Sequence, residues 1–462
     1  MFLGGQIQGD PEIEVRSPWD DELVGMVPND SAGAVDHAVR QVSGYDRALT
    51  GEQRARILTS AAREIADREH ELAHLITRES GICLKDSRKE IIRACGNLRV
   101  AAEESVRIRG ESMEVVCGGI PRLAMTLPEP VGTVAAITPF NRPLNQVVVK
   151  VAPAIAMNNG IVVKPSEKAP LSAIELAAIL HRAGLPDQML AIVTGAPDEV
   201  GRALVTHPAV DLVSFTGSVE TGEAVAQAAG LRRTLLELGG NDPLIVLADA
   251  DLDRAARLAV AGAFGNAGQS CRGIKRIIAV AAIADELAER IVPLAEKLRY
   301  GDPLDPATDV GPLVSVGAAT LVEDRCTAAV ADGAQLLCGG SRDRGLLIPT
   351  VLDHVDPTSE LVTRETFGPI APIIRVDGVE AAIEVANSTV YGLQAGVVTD
   401  SYLEFMRIAS ELRVGAVALA DGPNFDSPFL PFGGVKKSGV GREGIRYAMA
   451  EMSTVKTVLL PR

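Results

Sequence analysis

Two consecutive stretches of alternating strand and helix predict an α/β protein built on two parallel sheets. Three observations carry that prediction. Short apolar, β-branched runs recur near 131–137, 161–164, 190–194, 212–216 and 234–238, with helix-length segments near 146–157, 170–183, 197–206 and 219–229 between them. One helix between successive strands implies a parallel sheet with right-handed crossovers and a ligand at the strands' C-terminal ends. The alternation restarts after Gly240, with strands near 243–247, 275–280, 370–375, 393–398 and 414–419 and helices near 251–264, 282–298, 317–332, 378–386 and 402–412. Finally, 462 residues exceed what one hydrophobic core holds, and a composition 47% hydrophobic but 3% aromatic is that of an ordinary α/β chain of two or three domains.

Taken in order, residues 1–30 read as a short strand or two, closed by the capping run Asn29-Asp30-Ser31. Helical periodicity follows over 32–45, 51–80 and 85–106, the last with Ile91, Cys95, Leu98 and Ala102 on one face. The second helix contains His70-Glu71-Leu72-Ala73-His74, which matches the zinc-peptidase pattern of two histidines one turn apart beside a glutamate. The run Arg68-Glu69-His70-Glu71 reads better as a solvated, charged face, and no third-ligand signature follows, so no metal is expected. From 112 to 128 the pattern alternates about Gly118-Gly119, which predicts a hairpin. The final run, Ser453 to Leu459, is a strand suited to pairing in an assembly.

The charge balance excludes whole classes of partner. With 45 basic and 60 acidic residues the net charge is −15, which argues against nucleic acid and against an anionic membrane. No apolar run is long enough to span a bilayer, and the N-terminus lacks the features of a signal peptide. Six cysteines (83, 95, 117, 271, 326, 338) without paired spacing suit reduced thiols in a cytoplasmic location.

Two stretches carry chemistry. Gly268-Gln269-Ser270-Cys271 sets a cysteine among small polar neighbours, where an incoming carbon can reach the sulfur; the ordinary alternative is a small buried hydrophobe. Earlier in the chain, Leu236-Glu237-Leu238-Gly239-Gly240-Asn241 places a carboxylate in an apolar strand just before two glycines. Burial there raises the carboxyl pKa and makes it a better proton acceptor. A nucleophilic cysteine with a nearby base points to covalent catalysis.

These stretches, ELGG at 237–240 and GQSC at 268–271, occur with TPFNRP at 138–143, KPSE at 164–167, FTGS at 215–218, ETFGP at 365–369 and PFGGVKKSGVGREG at 431–444. Seven motifs in this order resemble the NAD(P)-dependent aldehyde dehydrogenases, and among them the phosphonoacetaldehyde and lactaldehyde dehydrogenase group. The resemblance implies an aldehyde dehydrogenase-like fold. Its parts would be a Rossmann-type cofactor domain (1–111 and 129–239), an α/β catalytic domain (240–432), and an oligomerisation hairpin and terminal strand (112–128 and 445–462). The hairpin would pair with another subunit in a homodimer or homotetramer.

It also implies roles. Cys271 would add to the aldehyde carbon, the Asn141 amide and the Cys271 backbone N–H would hold the oxyanion, and Glu237 would activate the water that hydrolyses the thioester. Read from the residues alone, Asn141 is equally a turn cap before Pro143 and Glu237 a satisfied core carboxylate. Thr138, Lys164 and Glu167 would contact the cofactor's adenosine side, Gly217 and Ser218 its pyrophosphate, and Glu365 and Phe367 its nicotinamide ribose. The run Gly217 to Gly222, opening a helix after a strand, replaces the usual GxGxxG and suits a pyrophosphate, although a plain capped helix looks the same. Glu167 accepts ribose hydroxyls and repels a 2′-phosphate, so NAD is expected over NADP. Arg93, Arg142 and Arg272 match substrate-tunnel positions and suit a small anionic aldehyde, a phosphonoaldehyde first, with lactaldehyde, a semialdehyde or a glyceraldehyde phosphate as alternatives. Arg272 beside the thiol is also expected to lower its pKa.

Overall fold

The computed structural model describes residues 1–425 and 427–461. The first strand–helix series forms an eight-stranded sheet whose inner five strands run parallel in the order Leu190–Ile192, Gly160–Lys164, Thr133–Ile137, Leu212–Thr216 and Arg233–Glu237. Both faces of this sheet are covered, which explains why its strands read as unbroken apolar runs rather than alternating ones. Ile161 and Val163 pack into the core on one face with Leu58, Leu98 and Ile155. Val162 points the other way, onto Val39, Leu204 and Val213.

The second series forms a seven-stranded sheet in the order Gln335–Cys338, Thr350–Asp353, Ile370–Val376, Ile274–Val280, Asp242–Val246, Gln394–Val398 and Ala416–Leu419. All its pairings are parallel except that of the edge strand Gln335–Cys338. That edge strand and Thr350–Asp353 are absent from the strands expected from sequence. They are four residues each, too short for periodicity to register.

The hairpin is present. Ser112–Cys117 pairs with Ile120–Pro130 through Gly118 and Gly119, whose φ of 60° and 80° suit a two-residue turn that only glycine enters freely. The terminal strand Ser453–Pro461 pairs along Ile120–Pro130 of its own chain, from Ser453 opposite Pro130 to Pro461 opposite Arg122. It therefore completes a three-stranded sheet within the chain, where pairing in an assembly was the expectation. Val116, Ile120 and Val455 stay exposed on this sheet.

The helix expected over 51–80 is two helices, Gly51–Asp67 and Glu69–Ser80, broken at Arg68. Arg68 leaves helical geometry while its guanidinium bridges Glu71 and Glu175, the latter on the helix Leu171–Arg182. No glycine or proline marks the break, so the tertiary ion pairs decide it. His70 and His74 lie on the second helix with ring centroids 4.4 Å apart. Among the described residues no group of three or more His, Cys, Asp or Glu is gathered as metal ligands. No helix among them is long and apolar enough to cross a membrane.

Candidate active site

Cys271 follows a turn that most residues avoid. Asn266, Ala267 and Gly268 all take left-handed backbone angles, with φ of 56°, 52° and 69°. Such angles cost a non-glycine residue about 1 kcal/mol or more, so the turn persists only because its neighbours over-determine it. Asn266 Nδ2 donates to the carbonyls of Asn141 (3.1 Å) and Gln269 (3.0 Å), and Asn141 Nδ2 donates to the Gln269 carbonyl at 2.9 Å. Gln269 Oε1 accepts from the Val314 N–H at 2.9 Å. Gly268 lies so close to the Gly368 carbonyl that no side chain fits there. The turn is thereby locked, and Asn141 is brought beside Cys271 from a position far back in the chain.

The thiol's environment adds opposing influences to the expected one of Arg272. Burial pushes Cys271 up to about 12. Arg272 does oppose this, as expected of a neighbouring cation, but it is outweighed once the carboxyl groups of Glu365, Asp242 and Glu237 add to the desolvation. The resting surroundings therefore oppose the thiolate.

Glu237 ends the last parallel strand of the first sheet and is 2% exposed. Among the described residues neither carboxyl oxygen has a hydrogen-bond partner. Burial raises its pKa well above the usual range, and the neighbouring Glu443 raises it further, while Lys150, Arg442 and Arg272 pull it down. A Cβ on Gly433 would sit 2.6 Å from Glu237 Oε1, so glycine is required to leave room for the carboxylate. Ser438 staples the loop here: its Oγ donates to the Gly239 carbonyl at 2.7 Å and accepts from the Gly392 N–H at 2.9 Å. Lys150 is fully buried on the helix Asn145–Ala156 and donates to Glu443 Oε1 at 2.7 Å and Ser214 Oγ at 3.2 Å. Neither Lys150 nor Glu443 is marked out by sequence reasoning. A lysine inside an apolar helix was the available signal.

A cavity of about 60 Å³ opens onto Cys271, and its lining includes Asn97, Asn141, Arg142, Asn145 and Arg272. Arg272 is held by Phe425, whose carbonyl accepts from Nη1 at 2.8 Å, and by the Phe432 ring, whose centroid is 5.2 Å from the guanidinium carbon. Arg142 Nη1 is buried without a hydrogen-bond partner among the described residues, and its charge reaches the buried Glu90. Arg93, the third candidate arginine, is half-buried on the helix Leu84–Ser105 and is not among the cavity's lining residues.

A second, larger cleft of about 890 Å³ lies at the C-terminal ends of the first sheet's strands. Thr138, Lys164, Glu167, Gly217 and Ser218 all line it. Lys164 Nζ stands 3.7 Å from Glu167 Oε2, and Ser218 caps the helix Val219–Ala229 by accepting from the Thr221 N–H at 3.2 Å. Phe367 meets the cleft residue Phe140 edge-on, with centroids 6.4 Å apart. Glu365 Oε1 accepts from the Gly240 N–H at 3.1 Å, and burial pushes its carboxyl up to about 7 against the pull of Lys275.

The aldehyde dehydrogenase family profile matches residues 6–458. The chain is 40% identical to a lactaldehyde dehydrogenase of Methanocaldococcus jannaschii, with all of both chains covered. It is 39% identical to a 3-sulfolactaldehyde dehydrogenase of Priestia megaterium, covering 100% of this chain and 97% of the relative. The crystal structure of a glyceraldehyde-3-phosphate dehydrogenase from Methanocaldococcus jannaschii, complexed with NADP, superposes with a TM-score of 0.95 at 40% identity, covering 98% of this chain and 100% of that one. The chain belongs to the aldehyde dehydrogenase family. It is an NAD(P)-dependent oxidoreductase, and its fold is that of the family.

The larger cleft of this aldehyde dehydrogenase fits a dinucleotide on its own evidence. The hydroxyls of Thr138 and Thr216 are buried there without a protein partner among the described residues, and at Gly217 a side chain would strike the Phe215 ring. The backbone is thus left bare at the start of the helix Val219–Ala229, as a pyrophosphate there would require. Glu167 sets a carboxylate 3.7 Å from Lys164 in this cleft, where it would repel a 2′-phosphate, and Arg202 lines the cleft as well. Glu167→Ser is therefore expected to raise the kcat/KM ratio of NADP to NAD, by about tenfold for a removed repulsion of ~1.4 kcal/mol. A ratio unchanged from wild type would place the discrimination elsewhere.

Proposed function

We propose that this aldehyde dehydrogenase oxidises a short aldehyde with a hydroxylated or anionic far end to its carboxylic acid, with NAD as preferred acceptor. The observation that carries the reading is the small cavity at Cys271 with two guanidinium groups, Arg142 and Arg272, and two carboxamides, Asn97 and Asn145, in its walls. Guanidinium forks suit carboxylate, sulfonate and phosphonate oxygens. The names of the relatives add support for lactaldehyde and 3-sulfolactaldehyde, and they rank these ahead of the phosphonoaldehyde favoured from sequence. The exposed apolar residues of the three-stranded sheet support homo-oligomer assembly through that sheet.

Each step follows from what the side chains can do. Cys271 Sγ gives its proton to water and bonds to the aldehyde carbon, whose C=O π pair moves onto oxygen. The carbonyl oxygen becomes an oxyanion held by the Cys271 backbone N–H and by the Asn141 amide, which carries two N–H donors and gives one of them to Gln269. Thr138, Lys164, Glu167, Gly217 and Ser218 would hold NAD(P) in the larger cleft, and the cofactor would supply the hydride acceptor for the oxidation. Glu237 then takes a proton from water attacking the thioester and returns it to the departing Cys271 sulfur, so the acid leaves and the thiol is restored. Glu443 and Lys150 act behind Glu237, one raising and the other lowering its proton affinity.

The arginines supply the test. Arg142→Ala and Arg272→Ala should each lower kcat/KM for an anionic aldehyde by about tenfold to a hundredfold, the worth of a charge-assisted hydrogen bond of roughly 1.5–3 kcal/mol. A neutral aldehyde of equal size should be little affected. Loss of Arg272 should also move the pH–rate profile upward for every substrate, because it removes a cation that favours the thiolate. If the ratio of kcat/KM for 3-sulfolactaldehyde to that for propanal is the same in both variants as in wild type, the anion is bound elsewhere.

A further inference from the structure

One buried cation has no part in the steps above. Lys275 is the second residue of the strand Ile274–Val280, in the interior of the seven-stranded sheet, and is 3% exposed. Its side chain turns back under the segment that carries the nucleophile. Nζ donates to the carbonyl of Gly268, and a Cβ on Gly273 would lie 3.2 Å from it, so the ammonium fills the inside of the loop from Gly268 to Gly273. The same ammonium stands 5.1 Å from the centroid of the Phe367 ring and is electrostatically linked to Glu365. One charge thus touches the turn bearing Cys271 and the loop bearing Glu365 and Phe367.

We propose that Lys275 is a positioning residue for the nucleophile, tying these two loops together and supplying the buried positive charge that offsets the carboxylates around the Cys271 sulfur. The need for such a charge is plain from the surroundings. Glu365, Asp242 and Glu237 all face Cys271 and oppose its ionisation, while Arg272, itself engaged with Phe425 and Phe432, is the cation beside it in sequence. Lys275 interacts electrostatically with Glu365, Cys271 and Asp242. A neutral side chain there would leave the carboxylates unopposed and the Gly268 carbonyl without its donor. A buried ammonium is costly to desolvate, and it is retained where partners on every side hold it.

The proposal rests on the reading of Cys271 as nucleophile, and its test avoids turnover altogether. Iodoacetamide alkylates a thiolate, forming a sulfur–carbon bond as iodide leaves, so the rate follows thiolate population. In the full-length protein the rate at Cys271 is followed by peptide mass, with the exposed Cys117 of the hairpin as internal reference. Lys275→Met and Lys275→Gln should slow Cys271 about tenfold near neutral pH, equivalent to one pKa unit, and leave Cys117 unchanged. Lys275→Arg should restore most of the rate. Lys275→Gln keeps a donor for Gly268 without the charge, so an undiminished rate in that variant overturns the electrostatic role. Should neither neutral variant fold, the wild-type protein decides. Lys275 is brought down to about 8 by burial, so the logarithm of the Cys271 rate should rise with a slope below one as pH passes through that value, far short of the pH at which the thiol itself saturates. A slope of one kept through that pH would refute the proposal. Turnover by Cys271→Ala would remove the nucleophile reading while leaving this alkylation result standing, so the two failures are distinguishable.

Discussion

Cys271→Ala is expected to lower aldehyde oxidation by roughly four orders of magnitude or more while NAD(P) affinity changes less than about twofold. The size of the loss follows from the chemistry. An aldehyde carbon releases hydride only after an electron-rich substituent has been added to it, and in this site the Cys271 sulfur is the group placed to add. The affinity is spared because Cys271 lines the small cavity with Arg142 and Arg272, whereas Thr138, Lys164, Glu167 and Gly217 line the larger cleft. A serine variant separates chemistry from packing, since it keeps the polar side chain but gives a poorer nucleophile. Nucleotide titration by fluorescence together with kcat/KM for a panel of short aldehydes checks both halves. An alanine variant that still turns over at a measurable fraction of the wild-type rate would end the covalent mechanism.

Glu237→Gln should give a burst of NAD(P)H equal to the enzyme concentration, followed by a steady state about a hundredfold slower or worse, the usual worth of a general base. The amide keeps the shape that fits beside Gly433 but cannot take the proton from water. In the wild type, burial and Glu443 raise the carboxyl's proton affinity, so the deprotonated, active form is gained as pH rises through that elevated pKa. The steady-state rate should therefore increase with pH above the ordinary carboxylate range, and the glutamine variant should lack that limb. The stability contribution runs the other way. A carboxyl whose folded pKa is raised holds its proton better in the folded state, so its contribution is present below the unfolded value and is lost as pH rises through the folded one. Thermal unfolding measured over the same pH range should show Glu237→Gln gaining on the wild type as pH rises. Disappearance of the burst as well as the steady state would mean that Glu237 serves the first half of the reaction and not the second.

Much of the arrangement was legible because it is local. Strand-then-helix spacing is read from a few residues at a time, and so the ten expected strands of the two series all recur within a residue or two of their predicted bounds. Thr138, Lys164, Gly217 and Glu237 each sit at or just past the C-terminal end of a parallel strand, where this topology puts ligands. The break at Arg68 was not legible, since its cause is an ion pair with Glu175, more than a hundred positions away. The same holds for Lys150 and Glu443, which meet under Glu237 only because helix Asn145–Ala156 and the C-terminal loop converge there.

The sequence by itself determined the two-sheet α/β architecture, the family, and which residues stand at the strand ends. Those follow from periodicity and from motifs whose glycines permit close backbone approach, both properties of adjacent residues. Tertiary structure alone decided the charge state of the site and the membership of its walls. Arg272 lowers the pKa of the Cys271 thiol as expected of a neighbouring cation, yet burial and three carboxyl groups from distant segments push it up to about 12. Asn97 and Asn145 join Arg142 and Arg272 in the wall of the cavity at Cys271, two carboxamides from separate helices that no local pattern brings together. Desolvation and Coulomb interaction sum over everything within several ångströms, and in a folded chain most of that volume belongs to residues far away in sequence.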